Sequence, residues 1–219
     1  MLQTNANHPD GSWVQSSLLD LIDYADPRSP TIRTPVSIPG TLQGIQHQGE
    51  LLYTTGAHWD TNQVSDWTQW LDASAYDGVA AHLVDSLAIS NYWPYPVLVL
   101  ETNVFIGRSG YSPNSTNSVT PRLETWSLSD AGKFTLNGSV KLDRPASTLL
   151  VRGGLLLCQE TDNSLDLFAP SSPAALTLLR HDQPTGCLWY DLNNADGDLD
   201  QGVWLPLGLY GVKVISLSP

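Results

Sequence analysis

The chain has 219 residues, 41% of them hydrophobic, so it can bury a core of its own and is not a disordered polymer. Its net charge of −12 sets 22 Asp and Glu against 10 scattered Lys and Arg, which argues against a nucleic-acid footprint and against a polybasic lipid-binding surface. Eight Trp, eight Tyr, 17 Gly and 15 Pro, with only 15% charged residues, point to an all-β chain with frequent turns.

The N-terminal stretch MLQTNANHPDG is polar and lacks the apolar stretch of a signal peptide. It reads like the middle of a loop, and the chain is expected to be a fragment of a longer protein. No apolar run approaches the roughly 20 residues of a membrane-spanning helix. The first recurring segment follows, LLDLIDY (18–24), with the turn DPRSP behind it. Similar segments return as LDASAYD (71–77), LETWSLS (123–129), LDLFAPS (165–171) and VKVISLS (212–218), at spacings of 53, 52, 42 and 47 residues. Most of them alternate apolar and polar residues, the period of a half-buried strand.

Further strands are expected between these segments. In the first interval they are PVSI (35–38), LQGIQ (42–46) and, after a turn at Gly49, ELLYTT (50–55). Residues 65–90 can be read as a helix with Trp67, Trp70 and Leu71 on one face, but Gly78 and the β-like neighbours favour strands. In the second interval VLVL (97–100) and VFI (104–106) flank ETN. In the third, STLLVR (147–152) and LLLCQ (155–159) flank Gly153-Gly154, a hairpin signal. Four strands per unit of this length is the pattern of a β-propeller blade. Blade-like units are expected at about 25–77, 78–129, 130–171 and 172–219, with an extra leading strand at 18–24. The expected fold is therefore all-β, a β-propeller of about four to five four-stranded blades, either closed or part of a larger ring.

The run Leu21-Ile-Asp-Tyr-Ala-Asp-Pro-Arg-Ser-Pro30, with Ile38-Pro-Gly40 and Gly49-Glu-Leu-Leu-Tyr53, resembles the repeat of bacterial propellers of the LVIVD type. That repeat runs V-D-I-S-D-P-x-x-P, then a strand, then G-x-x-L-Y-V. The match is good in the first unit, partial in the third and fourth, and weak in the second. The resemblance implies the C-terminal part of a larger propeller in an exported or envelope protein. Its partners would be another protein or the remaining blades of the same one.

DLNNADGDLD (191–200) is the candidate metal loop, because calcium takes six to eight oxygens from carboxylates, amides and carbonyls. Its candidate ligands are Asp191, Asn193, Asp196, Asp198 and Asp200. With Gly197 they resemble the D-x-N-x-D-G-x-x-D loop of FG-GAP propeller repeats and dockerin-like modules. Ala195 adds one residue to that pattern, and the bidentate Glu of an EF-hand is missing. The competing reading is a polar turn, since Asp and Asn form Asx-turns. The insertion HWDTNQVSDWTQW (58–70) offers Trp59, Trp67 and Trp70 as a ligand-binding surface for a carbohydrate, against the simpler role of packing beneath the loop. Cys158 and Cys187 lie in apolar surroundings and are expected to be buried thiols; a disulfide between them stays open. No HExxH or GxSxG motif occurs. The chain is accordingly expected to be a non-catalytic interaction or scaffold module with a possible structural calcium ion. A propeller hydrolase or lactonase acting on a carbohydrate-like substrate, and a subunit that completes a larger assembly, are the alternatives.

Overall fold

A computed structural model describes residues 2–7, 13–57, 69–90, 96–110, 119–172, 175–183, 190–198 and 200–217. The described chain is all-β. Its regular structure is strands, with three single turns of 3-10 helix, and the sheets are antiparallel. It divides into two compact units, residues 1–91 with 128–134, and residues 92–127 with 135–219.

In the first unit, β1 (Leu2–Asn7), β2 (Trp13–Leu19) and β5 (Val36–Ile38) form a three-stranded sheet in that order. The short hairpin β3 (Ile22–Asp23) and β4 (Thr31–Ile32) interrupts it. A four-stranded meander follows, β6 (Thr41–Gln46), β7 (Leu51–Ala57), β8 (Gln69–Tyr76) and β9 (Ala81–Ser90). Residues 69–90 are therefore strands, turned at Gly78, and the helical alternative fails there: the alternating pattern pairs β8 with both neighbours. Val36, Ile38 and Leu52 form one buried cluster, with Leu19, Leu21, Leu42 and Tyr76 packed against it.

The second unit carries two more four-stranded meanders. One is β10 (Val97–Leu100), β11 (Asn103–Gly110), β12 (Val119–Leu128) and β13 (Phe134–Lys141), whose connecting turn, residues 128–134, belongs to the first unit. The other is β14 (Ala146–Arg152), β15 (Leu155–Glu160), β16 (Leu165–Ser172) and β17 (Ala175–Asp182). A three-stranded sheet follows, β18 (Asp196–Asp198), β19 (Gly202–Pro206) and β20 (Val212–Ile215). The expected hairpin at Gly153-Gly154 is present, with both glycines at positive φ, +50° and +82°. This is the backbone of a tight two-residue β-turn and favours glycine at both positions.

Every residue of β15 is buried, which matches its unbroken apolar run LLLC: a strand covered on both faces has no reason to alternate. Leu155, Leu157, Leu165 and Leu167 pack with Val203, Leu205 and Ile215 of the last sheet. The opposite face, with Leu156, Cys158 and Phe168, packs on Phe105, Leu123 and Leu142. Each such side chain contributes about 1.5–3 kcal/mol on removal from water, so this layering is what holds the second unit together. Gly202 is required where β18, β19 and β20 converge: at φ +92°, a Cβ there would lie 2.1 Å from the Ile215 carbonyl oxygen.

Three of the five recurring segments occupy one structural place, while LLDLIDY (18–24) spans the end of β2 and the short strand β3. LDASAYD, LETWSLS and LDLFAPS begin or contain the third strand of the three meanders, and a fourth strand follows each. Their leading leucines, Leu71, Leu123 and Leu165, are fully buried. VKVISLS forms β20, the third strand of the last sheet, where the equivalent Val212 is 62% exposed.

Candidate functional site

The residue after each leading leucine is acidic, and in all three meanders it is buried. Asp72, Glu124 and Asp166 are at most 4% exposed. An unpaired buried charge is costly, so each needs a partner. Ser86 Oγ of β9 donates to Asp72 at 2.7 Å. Arg108 Nε (2.8 Å), Arg122 Nε (2.9 Å) and Trp126 Nε1 (3.0 Å) donate to Glu124. Burial pushes the Glu124 carboxyl up, but these donors outweigh it and hold it below the usual carboxylate range. His181 Nδ1 of β17 lies 2.7 Å from Asp166 Oδ1.

Cys158, Asp166 and His181 stand opposite one another across β15, β16 and β17. The row resembles a nucleophile set in composition only. Asp166 separates the thiol from the imidazole, and burial, with Asp166 and Glu160 nearby, pushes the Cys158 thiol well up. A protonated buried thiol is not a nucleophile. Burial also raises Asp166 and Glu160, while the bond from Asp166 raises His181. Glu160 accepts from Ser164 Oγ (2.7 Å) and Asp143 N (3.1 Å), closing the turn between β15 and β16. These groups brace a sheet.

In the acidic loop, Asp191 caps a single 3-10 turn, Leu192–Asn194. Its Oδ1 accepts from the backbone N and Nδ2 of Asn193 at 3.0 and 2.9 Å, and its Oδ2 accepts from Asn194 Nδ2 at 3.3 Å. Asp196 accepts from the Gly197 backbone N at 2.9 Å. Asp200 is exposed. Asp198 lies on β18, and its side chain falls outside the described residues. Among the described residues no group of three or more His, Cys, Asp or Glu is placed to hold a metal ion. Of the tryptophans, Trp70 is half-buried on β8 opposite Gly56, while Trp59 and Trp67 lie outside the described residues, as does Cys187. Cys158 is a free buried thiol.

A concave feature lies elsewhere, within the first unit. A cleft of about 1090 Å³ has Leu19, Leu21, Leu42 and Leu52 as its floor. Its sides are residues 47–50 between β6 and β7, residues 75–78 at the end of β8 and the turn that follows, and Asp130-Ala131 between β12 and β13. Ile45, 59% exposed, stands at its mouth. A cleft of this size with a mainly apolar lining and a few polar groups is what a binding site requires.

Its lip is built under strain. His47, Gln48 and Gly49 follow one another at φ +48°, +57° and +102°. Only the last is a residue for which the left-handed region is cheap, and such outliers persist where surrounding structure holds them. Here the anchor is Tyr53 of β7, fully buried, whose hydroxyl donates to Gln46 Oε1 at 2.9 Å and whose ring meets Phe134 edge-on at 6.2 Å. Burial pushes the Tyr53 hydroxyl up to about 12, so it stays a donor at any physiological pH.

The rim is acidic. His47 Nε2 stands 3.6 Å from Asp130 Oδ1, and that carboxylate's side chain is 94% exposed. Asp77 accepts from the backbone N of Ala80 (2.8 Å) and Val79 (2.9 Å) and from His82 Nε2 (3.1 Å). Those donors, the backbone pair first, lower its carboxyl to about 2. Glu50 is exposed beside them. No Lys or Arg lines the cleft among the described residues. Lys133, in the turn behind Asp130, donates instead to the Val84 carbonyl at 2.6 Å.

The segments that meet here are far apart in sequence, which is why the sequence alone did not point to them. The one local signal was the run His47-Gln48-Gly49 between two strands. No protein-family model matches this chain, and no curated protein matches it in sequence.

Proposed function

We propose that the chain is a non-catalytic interaction module of the β-propeller type, and that the first-unit cleft is its binding surface. The propeller reading is supported by the three four-stranded antiparallel meanders, each with an equivalent third strand, and by the LVIVD-like segments. The single observation that carries the functional reading is the cleft itself, an apolar floor under a strained lip. The fate of the repeated carboxylates supports it too. Asp72, Glu124 and Asp166, the buried acids a hydrolase would draw on, are engaged with Ser86, with two arginines and Trp126, and with His181. A structural calcium ion at DLNNADGDLD is compatible with this reading and is not needed for it.

A peptide-display selection on the folded chain tests the reading. The selection is expected to enrich binders that lose affinity for Ile45→Glu, a change at an exposed position that leaves the fold intact. Enrichment of nothing, or of binders indifferent to Ile45→Glu, would refute the cleft as the binding surface.

A further inference from the structure

We propose that the occupant of the cleft is a basic-apolar polypeptide segment of another protein, with one or two large apolar side chains flanked by Lys or Arg. The inference rests on the reading of the cleft as a binding surface and adds the chemistry of its partner.

Two properties of the site point to that chemistry. The floor is four leucines, with Ile45 at the mouth, so the centre of the ligand is apolar. Around it stand three carboxylates, Glu50, Asp77 and Asp130; among the described residues His47 is the one basic side chain that lines the site, and His82 meets Asp77 from outside it. Asp77 is held ionised by its own turn, so its charge persists in acid as well as at neutral pH. The three come from three different turns and are not grouped to bind a metal ion. A single cation would not meet all three at once. A chain lying across the cleft, with positive charges on both sides of an apolar centre, would meet all three. The cleft is open to solvent and, at about 1090 Å³, larger than a single side chain, which fits a passing chain better than a buried small molecule. The net charge of −12 adds long-range attraction for a basic segment and repels an acidic one.

The test is calorimetric titration of the full chain with short synthetic peptides sharing a Leu-Trp-Leu centre and flanked on both sides by lysine, by serine or by glutamate. The lysine-flanked peptide is expected to bind about tenfold tighter than the serine-flanked one at low salt, and the advantage should shrink as salt is raised. The glutamate-flanked peptide should bind weakest. In the double variant Glu50→Gln with Asp130→Asn, which leaves the Asp77 turn untouched, the lysine advantage should fall to about threefold or less. Equal binding of the lysine and serine peptides would overturn the inference while leaving the cleft as a binding surface. A lysine advantage that survives the double variant would also overturn it, because the attraction would then come from charges elsewhere. If no peptide binds, both the inference and the reading beneath it fall.

Discussion

At the scale of single residues, the recurring acids show how this chain uses charge. A carboxylate at the second position of LDASAYD, LETWSLS and LDLFAPS invites assignment to a solvent face. Each is instead buried, because its partner lies on the same or a neighbouring strand: Ser86 is 14 residues on from Asp72, and His181 is 15 on from Asp166. Such pairing becomes visible only when the register is known. The His181–Asp166 pair has a consequence for pH. The folded state raises the His181 pKa, chiefly through the bond to Asp166. A group raised in this way stabilises fully below its unfolded value, about 6.5, and loses that contribution as pH climbs through the folded value. Burial raises Asp166 and Glu160 in the same sense, so they too disfavour the fold as pH rises. His181→Gln should therefore lower the melting temperature more at about pH 5.5 than at about pH 8.5. An equal loss at both would mean that the imidazole acts by packing and not by charge.

At the scale of elements, strands were legible and turns less so. The hairpin 147–159 followed from Gly153-Gly154 between two apolar runs, and β15 from its unbroken LLLC. The fourth strands of the meanders were harder. In β13, FTLNGSVK, no residue is fully buried, so no apolar face announces it, and register with β12 does the work of hydrophobicity. The acidic loop shows the limit of composition: Asp191 spends its carboxylate on capping its own short turn, which Asp and Asn favour with or without an ion. The turn at Gly49 was legible but the strain of the lip was not, since nothing in His47-Gln48 predicts two left-handed residues in a row. That strain gives a prediction. A non-glycine residue in this region costs about 1–2 kcal/mol, and a glycine returns roughly 0.5–1 kcal/mol of that as unfolded-chain entropy. Gln48→Gly should thus stabilise the fold by about 0.5 kcal/mol in a urea titration. A loss of stability would show that the Gln48 side chain holds the lip by contacts that outweigh its backbone cost.

At the scale of the whole molecule, the all-β reading and the repetition of four-stranded units came from the period-2 segments and their spacing. The cleft did not, because it gathers residues near 20, 45, 50, 76 and 130 that only the fold brings together. No third dimension can be read from a spacing of that size. The central claim is that this cleft, and not the acidic loop or another face, receives the partner. Amide hydrogen exchange read by mass spectrometry, with and without the lysine-flanked peptide, tests it most directly. Slowed exchange confined to the cleft segments, residues 19–21, 42–52, 75–78 and 130–131, with 190–198 unchanged, is the predicted result. Protection centred on 190–198, or on any segment outside the cleft with its walls unchanged, would contradict it.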